Sequence, residues 1–325
     1  MIRIPLNNEK DILKFHYDNI TKKVGREWNV EIRLQKRMLH HAGNVDLEAM
    51  YQNLLNSLLK DTAGFSILTA TPKELSIFSE LFNLTHSHLM TDVIKAEILN
   101  CFYYDDYDKW KAYQLAKKIG ITVCPYCNRT YTFIVGNDSK KGTRFEYDHF
   151  FAKSNFPYLA LSFFNLVPSC HVCNSNFKGD KKFDLEKNIH PYVEGFGDNI
   201  VFSIKPNNIG FINGKANSYR VRFKKGTLSN WTNGKVKAAF ENITTFQLTK
   251  LYNMHKDYVD EIIQKSIIYN QDYINDLYNK YSGTIFNSKE DVKRLIVGNY
   301  VDEEDYHKRA LAKLTTDISK ELGII

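Results

Sequence analysis

Nowhere in the 325 residues is there an uncharged apolar run near the roughly 18 positions that a membrane-crossing helix needs, so no membrane-spanning role is expected. The opening stretch, MIRIPLNNEKDILKF, lacks the apolar core of a secretory signal, and the cytoplasm is the expected address. Cysteine is scarce. The five present are odd in number with two close pairs, which suits a reducing compartment and metal binding better than a disulfide framework. No internal repeat, low-complexity tract or flexible linker interrupts the chain. What remains is ordinary for a globular protein: 43% apolar and 25% charged residues, enough for two or three folding units at about 150 residues each.

Acidic residues are missing from one place. Between Ile200 and Phe240 there are eight basic residues (Lys205, Lys215, Arg220, Arg222, Lys224, Lys225, Lys235 and Lys237) and no Asp or Glu. The net charge of +7 therefore originates in this stretch, because the rest of the chain nearly balances. Such a stretch is the footprint of a surface for a polyanion. Equally, lysines on a sheet edge guard against aggregation.

Apolar spacing of three and four residues predicts helices for most of the chain up to Gly120. Thr71-Pro72-Lys73-Glu74 has the form of a helix start, and further helices are expected over 90–102 and 108–118. TYTFIV (130–135) and RFEYDHF (144–150) read as two strands of one hairpin, followed by a short helix over 174–178 that Gly179 stops. IVFSIK and YRVRFK read as strands, and helical spacing returns from about Ile243. The expected class is α+β. Its expected parts are a helical block over 1–120, a small ββα core over 121–199, a basic β-rich appendage over 200–240 and a helical block over 241–325.

Cys124-Pro-Tyr-Cys127 and Cys170-His-Val-Cys173 each let two thiolates converge on one ion, and together they complete a tetrahedral shell of four sulfurs. That shell leaves no open position, so a structural Zn²⁺ is expected there rather than a catalytic one. Cys101 stands apart and reads as a buried small hydrophobe. Between the two pairs lie Glu146-Tyr147-Asp148-His149 and Asn165-Leu166-Val167-Pro168, and the second pair runs directly into Asn174-Ser-Asn-Phe-Lys178.

The succession CPYC, YDHF and FNLVPSCHVCNSNFKG over 124–179 resembles the HNH endonucleases, the ββα-metal class, in the form whose cysteine pairs bracket the motif. The resemblance implies that His149 is the general base, that Asp148 and Asn174 hold a catalytic Mg²⁺ or Mn²⁺, and that Asn165 braces the loop carrying His149. Asn174 stands where many members of that family have His, which favours a hard cation over Zn²⁺. In an ideal strand Asp148 and His149 would face opposite ways, so the pair should sit where a strand ends. Lys178, four residues beyond Asn174, is expected to reach a phosphate, as is Arg129 beside the first cysteine pair. Arg220, Arg222, Lys224 and Lys225 are expected to hold a nucleic-acid backbone. Glu146, His171 and His190 have weaker claims, as an edge carboxylate, a loop residue and a turn histidine.

The long helical flanks, the HPY segment and the closing HKRALAKLTTDISKELG resemble the HNH subunits of Septu-type anti-phage systems, which act beside an ATPase partner. The chain has no G-x-x-x-x-G-K-[ST] loop, so an ATPase would have to be another protein. Three functions stay open from sequence: a DNA endonuclease of phage defence, an RNase of the same chemistry, and a non-catalytic zinc module that binds nucleic acid.

Overall fold

Local signals explain where the helices of the computed structural model begin and end. It describes all residues except 22–28, 60–63, 138–139, 208–218 and 270, so Lys215 of the acid-free stretch lies outside the described residues. The protein is α+β, with twelve α-helices among the described residues and three antiparallel two-stranded sheets. It divides into two compact units, one of residues 5–121 and 132–193, the other of 1–4, 122–131 and 194–325.

The first unit carries α1 (Glu9–Thr21), α2 (Val30–His40), α3 (Val45–Leu58), α4 (Pro72–His86), α5 (Asp92–Phe102) and α6 (Ala112–Ile119). Asn29, Asn44 and Thr91 cap α2, α3 and α5, each accepting from a backbone N–H three residues on. Thr71 and Glu74 close a reciprocal box at the start of α4, with Pro72 in its first turn. Helix α6 starts at Ala112 and not at Asp108, because Lys111 is left-handed (φ 60°) and breaks any earlier helix. Trp110, Tyr51, Phe82, Phe102, Tyr158 and Phe163 fill the core.

The strand pairing departs from expectation. β1 (Val135–Asn137) pairs with β2 (Lys140–Thr143), while β3 (Glu146–His149) pairs with β4 (Leu166–Ser169). Among the described residues no hairpin joins 130–135 to 144–150. β4 lies opposite β3 through Tyr147↔Pro168 and His149↔Leu166, and this pairing buries Tyr147, Asp148 and His149. A π-helical turn, Val172–Lys178, follows β4, and Gly179 ends it with φ 50°, a value that suits glycine.

The second unit holds a seven-residue hairpin, β5 (Ile200–Pro206) against β6 (Tyr219–Lys225), with α7 (Asn233–Thr245), α8 (Leu248–Tyr252), α9 (Lys256–Ile268), α10 (Gln271–Tyr281), α11 (Lys289–Val297) and α12 (Ala312–Glu321). Thr232 caps α7, so this helix begins inside the segment expected to be β-rich and takes Lys235 and Lys237 onto it. α12 lies along β5, its Asp317 and Glu321 carboxylates accepting from the Phe202 and Ile204 amides at 2.8 Å. Lys313 and Asp317 form a buried ion pair at 2.7 Å. Among the described residues, no helix is long and apolar enough to cross a membrane.

Candidate active site

The end of β3, the loop after it, β4 and the π-helical turn bring the predicted residues together. His149 closes β3, where the strand stops and its side chain is released from strict alternation. The ring is buried, 4.4 Å from the Tyr104 ring in an edge-on contact. Its Nε2 lies 3.0 Å from the Ala160 carbonyl. A carbonyl only accepts, so Nε2 carries the proton and Nδ1 keeps the lone pair. Burial pushes the imidazole pKa down to about 3, against the pull of the Ala160 carbonyl and helped by the nearby Lys153 and Lys178 charges. The ring is neutral at physiological pH.

Asn165 sits at the start of β4 and is fully buried. Its Oδ1 accepts from the Phe151 amide at 2.7 Å, and its Nδ2 donates to the Phe151 and Leu159 carbonyls at 3.1 and 3.0 Å. One side-chain amide thus ties the residues directly after His149 to the segment bearing Ala160, which in turn receives the His149 proton. Both ends of the imidazole's setting are fixed by backbone that Asn165 holds.

Asp148 is 2% exposed and carries an ion pair: the Lys178 ammonium lies 3.0 Å from its Oδ1 and 2.6 Å from the His149 carbonyl. Lys178 is therefore turned inward, not offered to solvent as a phosphate contact. Asn174 donates from Nδ2 to Glu146 Oε2 at 2.7 Å, and His171 Nδ1 lies 2.7 Å from Glu146 Oε1. Burial raises the Glu146 pKa, but the hydrogen bonds from Asn174 and His171 outweigh it and hold the carboxyl below its ordinary value.

These groups open onto a cleft of about 340 Å³ lined by Asp148, His149, Glu146, Asn174, Tyr104, Asp105, Lys153 and Asp180 among others. Four carboxylates line it; Asp148 is paired with Lys178 and Asp105 lies 3.6 Å from Lys153, and the negative surplus that remains suits a hard divalent cation. Glu146 shares strand parity with Asp148, and that parity was the available signal for its place here. Asp105 and Tyr104 reach the cleft from the loop after α5, about forty residues upstream, and no spacing announces them.

Several expected contacts lie elsewhere. Arg129 does not line the cleft, and its charge helps to lower the His255 pKa. His190 is buried against Phe150, with ring centroids 4.2 Å apart. On β6, Tyr219, Val221 and Phe223 point into the core while Arg220 and Arg222 are exposed. Lys205 stands opposite Arg220 in the register, so three cations share the outer face of the hairpin. Lys224 is paired with Glu321 at 2.9 Å, and Lys225 reaches the Trp231 carbonyl at 3.4 Å.

The four cysteines Cys124, Cys127, Cys170 and Cys173 are buried and unbridged by disulfides, with all their sulfur atoms within 4.8 Å of one another. Sulfurs around a zinc ion stand about 3.8 Å apart, given Zn–S bonds of about 2.3 Å at tetrahedral angles. The cluster fits Zn²⁺ with little adjustment. Asn128, left-handed at φ 48°, turns the chain after the first pair, its amide bonding the Cys124 carbonyl at 2.7 Å. Cys101 is buried apart from the cluster. Compared with family models, with curated proteins and with solved structures, the chain matches none.

Proposed function

We propose that the protein is a metal-dependent HNH-type endonuclease that hydrolyses phosphodiester bonds of DNA. The observation that carries the reading is the arrangement of His149. A neutral imidazole, its Nε2 proton committed to a carbonyl, lines an acidic cleft with Asp148 and Asn174. Asn165 holds the loop behind it. A general base must be unprotonated before it acts, and this imidazole is.

In this mechanism His149 Nδ1 takes a proton from the attacking water, and the imidazolium formed is steadied by the Ala160 carbonyl already bonded to Nε2. Asp148 and Asn174 Oδ1, with Glu146 beside them, would hold Mg²⁺ or Mn²⁺. When bound, the cation supplies positive charge to the phosphate and to the leaving oxygen. Asn165 keeps the base in one orientation, and its contribution is positional. The four cysteines would hold a structural Zn²⁺. Arg220 and Arg222, exposed and regularly spaced, suit contact with a nucleic-acid backbone.

The same reading makes this chain the effector of an anti-phage system with an ATPase partner. An exposed apolar stripe on α4, Ile77, Leu81 and Leu84, offers a face for such a partner. Co-elution with the ATPase encoded by a neighbouring gene tests this part.

The chemistry is tested by incubating the protein with plasmid and with total RNA, in Mg²⁺, in Mn²⁺ and without divalent cation. Cleavage of plasmid only with the cation, abolished in His149→Ala while binding persists, is the expected result. Cutting of RNA alone would reassign the substrate. A His149→Ala protein that cuts at the wild-type rate would end the proposal.

A further inference from the structure

A second cleft lies in the other unit, between α11 and the segment after it. It is about 580 Å³ and is lined by Ile285, Leu295, Arg294, Tyr300 and Arg309 among others. We propose that it is a subsite for single-stranded nucleic acid, in which Arg294 and Arg309 grip a backbone phosphate and Ile285 and Leu295 support the adjoining sugar or base. The choice of nucleic acid over other anions rests on the nuclease reading above.

The two guanidinium groups are held in place before any ligand arrives. Each lies 5.5 Å from the centre of the Tyr300 ring, within cation–π range, and Arg309 Nη1 also donates to the Gly298 carbonyl at 2.8 Å. One bond out of five possible donors leaves the Arg309 fork available. The acid nearest them, Asp291, is occupied: its Oδ2 accepts from the Asn287 and Ser288 amides at 3.0 and 3.1 Å to cap α11. Among the described residues neither arginine is in an ion pair. Two guanidinium forks beside the one carboxylate of Asp291, whose charge bears on Arg294, leave the cleft net positive and suit phosphate oxygens, which guanidinium groups bind in pairs.

The walls add a second requirement. Ile285 and Leu295 are each 65% exposed, an apolar area beside the two charges that water solvates poorly. A nucleotide in a strand presents that combination, an anionic diester next to a flat, weakly polar body. The catalytic cleft supplies the need: two of its four carboxylates are paired with lysines, its balance is still negative, and it holds a polyanion poorly by itself. Affinity has to come from elsewhere on the chain.

The test uses the whole protein, in buffer without added divalent cation so that nothing is cut, and a fluorescein-labelled thymidine dodecamer read by anisotropy. Arg294→Gln/Arg309→Gln should weaken binding at least about tenfold, as loss of charge-assisted contacts does. It should also reduce the slope of log Kd against log salt by about 0.7, the share of the one phosphate the two arginines hold. Both side chains are exposed, and an unchanged melting curve confirms that the variant folds. Arg294→Lys/Arg309→Lys, which keeps charge and loses the fork, should recover only part of the affinity. Wild-type affinity and slope in the Gln variant overturn the subsite, as does failure of the wild type to bind the dodecamer. Equal competition by thymidine monophosphate or by a polyglutamate peptide overturns the assignment to a strand. Plasmid cleavage is scored separately. Cutting by the wild type with no effect of the arginine changes on binding removes the subsite alone, whereas loss of the nuclease reading shows first in His149→Ala.

Discussion

Replacing Lys178 with methionine takes an ammonium away from a carboxylate that has almost no access to water. Side-chain exposure is 1% for Lys178 and 2% for Asp148, so neither charge can turn to solvent when its partner leaves. Methionine keeps most of the apolar stem and removes the ammonium, which also lies 5.1 Å from the centre of the Phe183 ring, so the loss is chiefly electrostatic. Removing one member of a buried pair costs about 3–5 kcal/mol, because the other keeps its charge and loses the opposite one. For a unit of this size each kcal/mol is worth about 2–4 °C, so the melting temperature should fall by about 6–20 °C. Lys178→Met/Asp148→Leu should recover part of that, since no buried charge remains and only the His149 carbonyl loses its lysine donor. Mn²⁺ should then raise the melting temperature of Lys178→Met more than that of the wild type, because ammonium and cation compete for one carboxylate. Differential scanning fluorimetry with and without Mn²⁺ reads all of this. A single variant melting within about 2 °C of the wild type would refute the buried pair.

Three further outcomes follow from the same geometry. Metal analysis of the purified protein should find one zinc per chain, and Cys170→Ser or Cys124→Ser should lose it together with cooperative unfolding; metal-free protein with unchanged melting would contradict the four-sulfur site. Burial lowers the pKa of His16 to about 4 and of His149 and His190 to about 3, whereas each rises towards 6.5 on unfolding. The unfolded chain binds more protons, so this stability is whole above about pH 6.5 and is lost as pH falls towards 4 for His16 and towards 3 for His149 and His190. The slope is up to about 1.4 kcal/mol per pH unit for each histidine, urea melts at pH 7.5 and 5.5 measure it, and a flat response disproves it. Asn165→Asp would set a carboxylate oxygen against the Phe151 and Leu159 carbonyls, and kcat should fall at least about tenfold with little change in KM; a change confined to KM would argue against a positioning role.

Some of this structure is readable in the sequence because the chemistry demands fixed spacing. Four thiolates around one ion need two short loops, and the two C-x-x-C pairs supply them. Asp148 with His149, Asn165 and Asn174 come together because β3, β4 and the turn are close in the chain. LVPS forms β4 although Pro168 speaks against a strand, and nothing in the sequence marks it as the partner of β3. In a two-stranded sheet both strands are edges, and a proline is tolerated where its nitrogen faces away from the partner. The inward turn of Lys178 had no local signal. Spacing placed it on a face with Asn174, but its partners, an Asp148 oxygen and the His149 carbonyl, are set by tertiary contact thirty residues away. The same holds for Tyr104 and Asp105, which arrive from another element.

The turn from Asn174 to Gly179 closes by a hydrogen bond from the Gly179 amide to the Asn174 carbonyl at 2.7 Å, five residues apart and not four. A chain that presented the same amide and the same ammonium on a tighter coil would do so with one residue fewer. Any position-by-position comparison with such a chain would have to open a gap here, between two side chains that face the same strand. Counting residues across this turn would then misplace one of them, and only superposition of backbones would restore the correspondence.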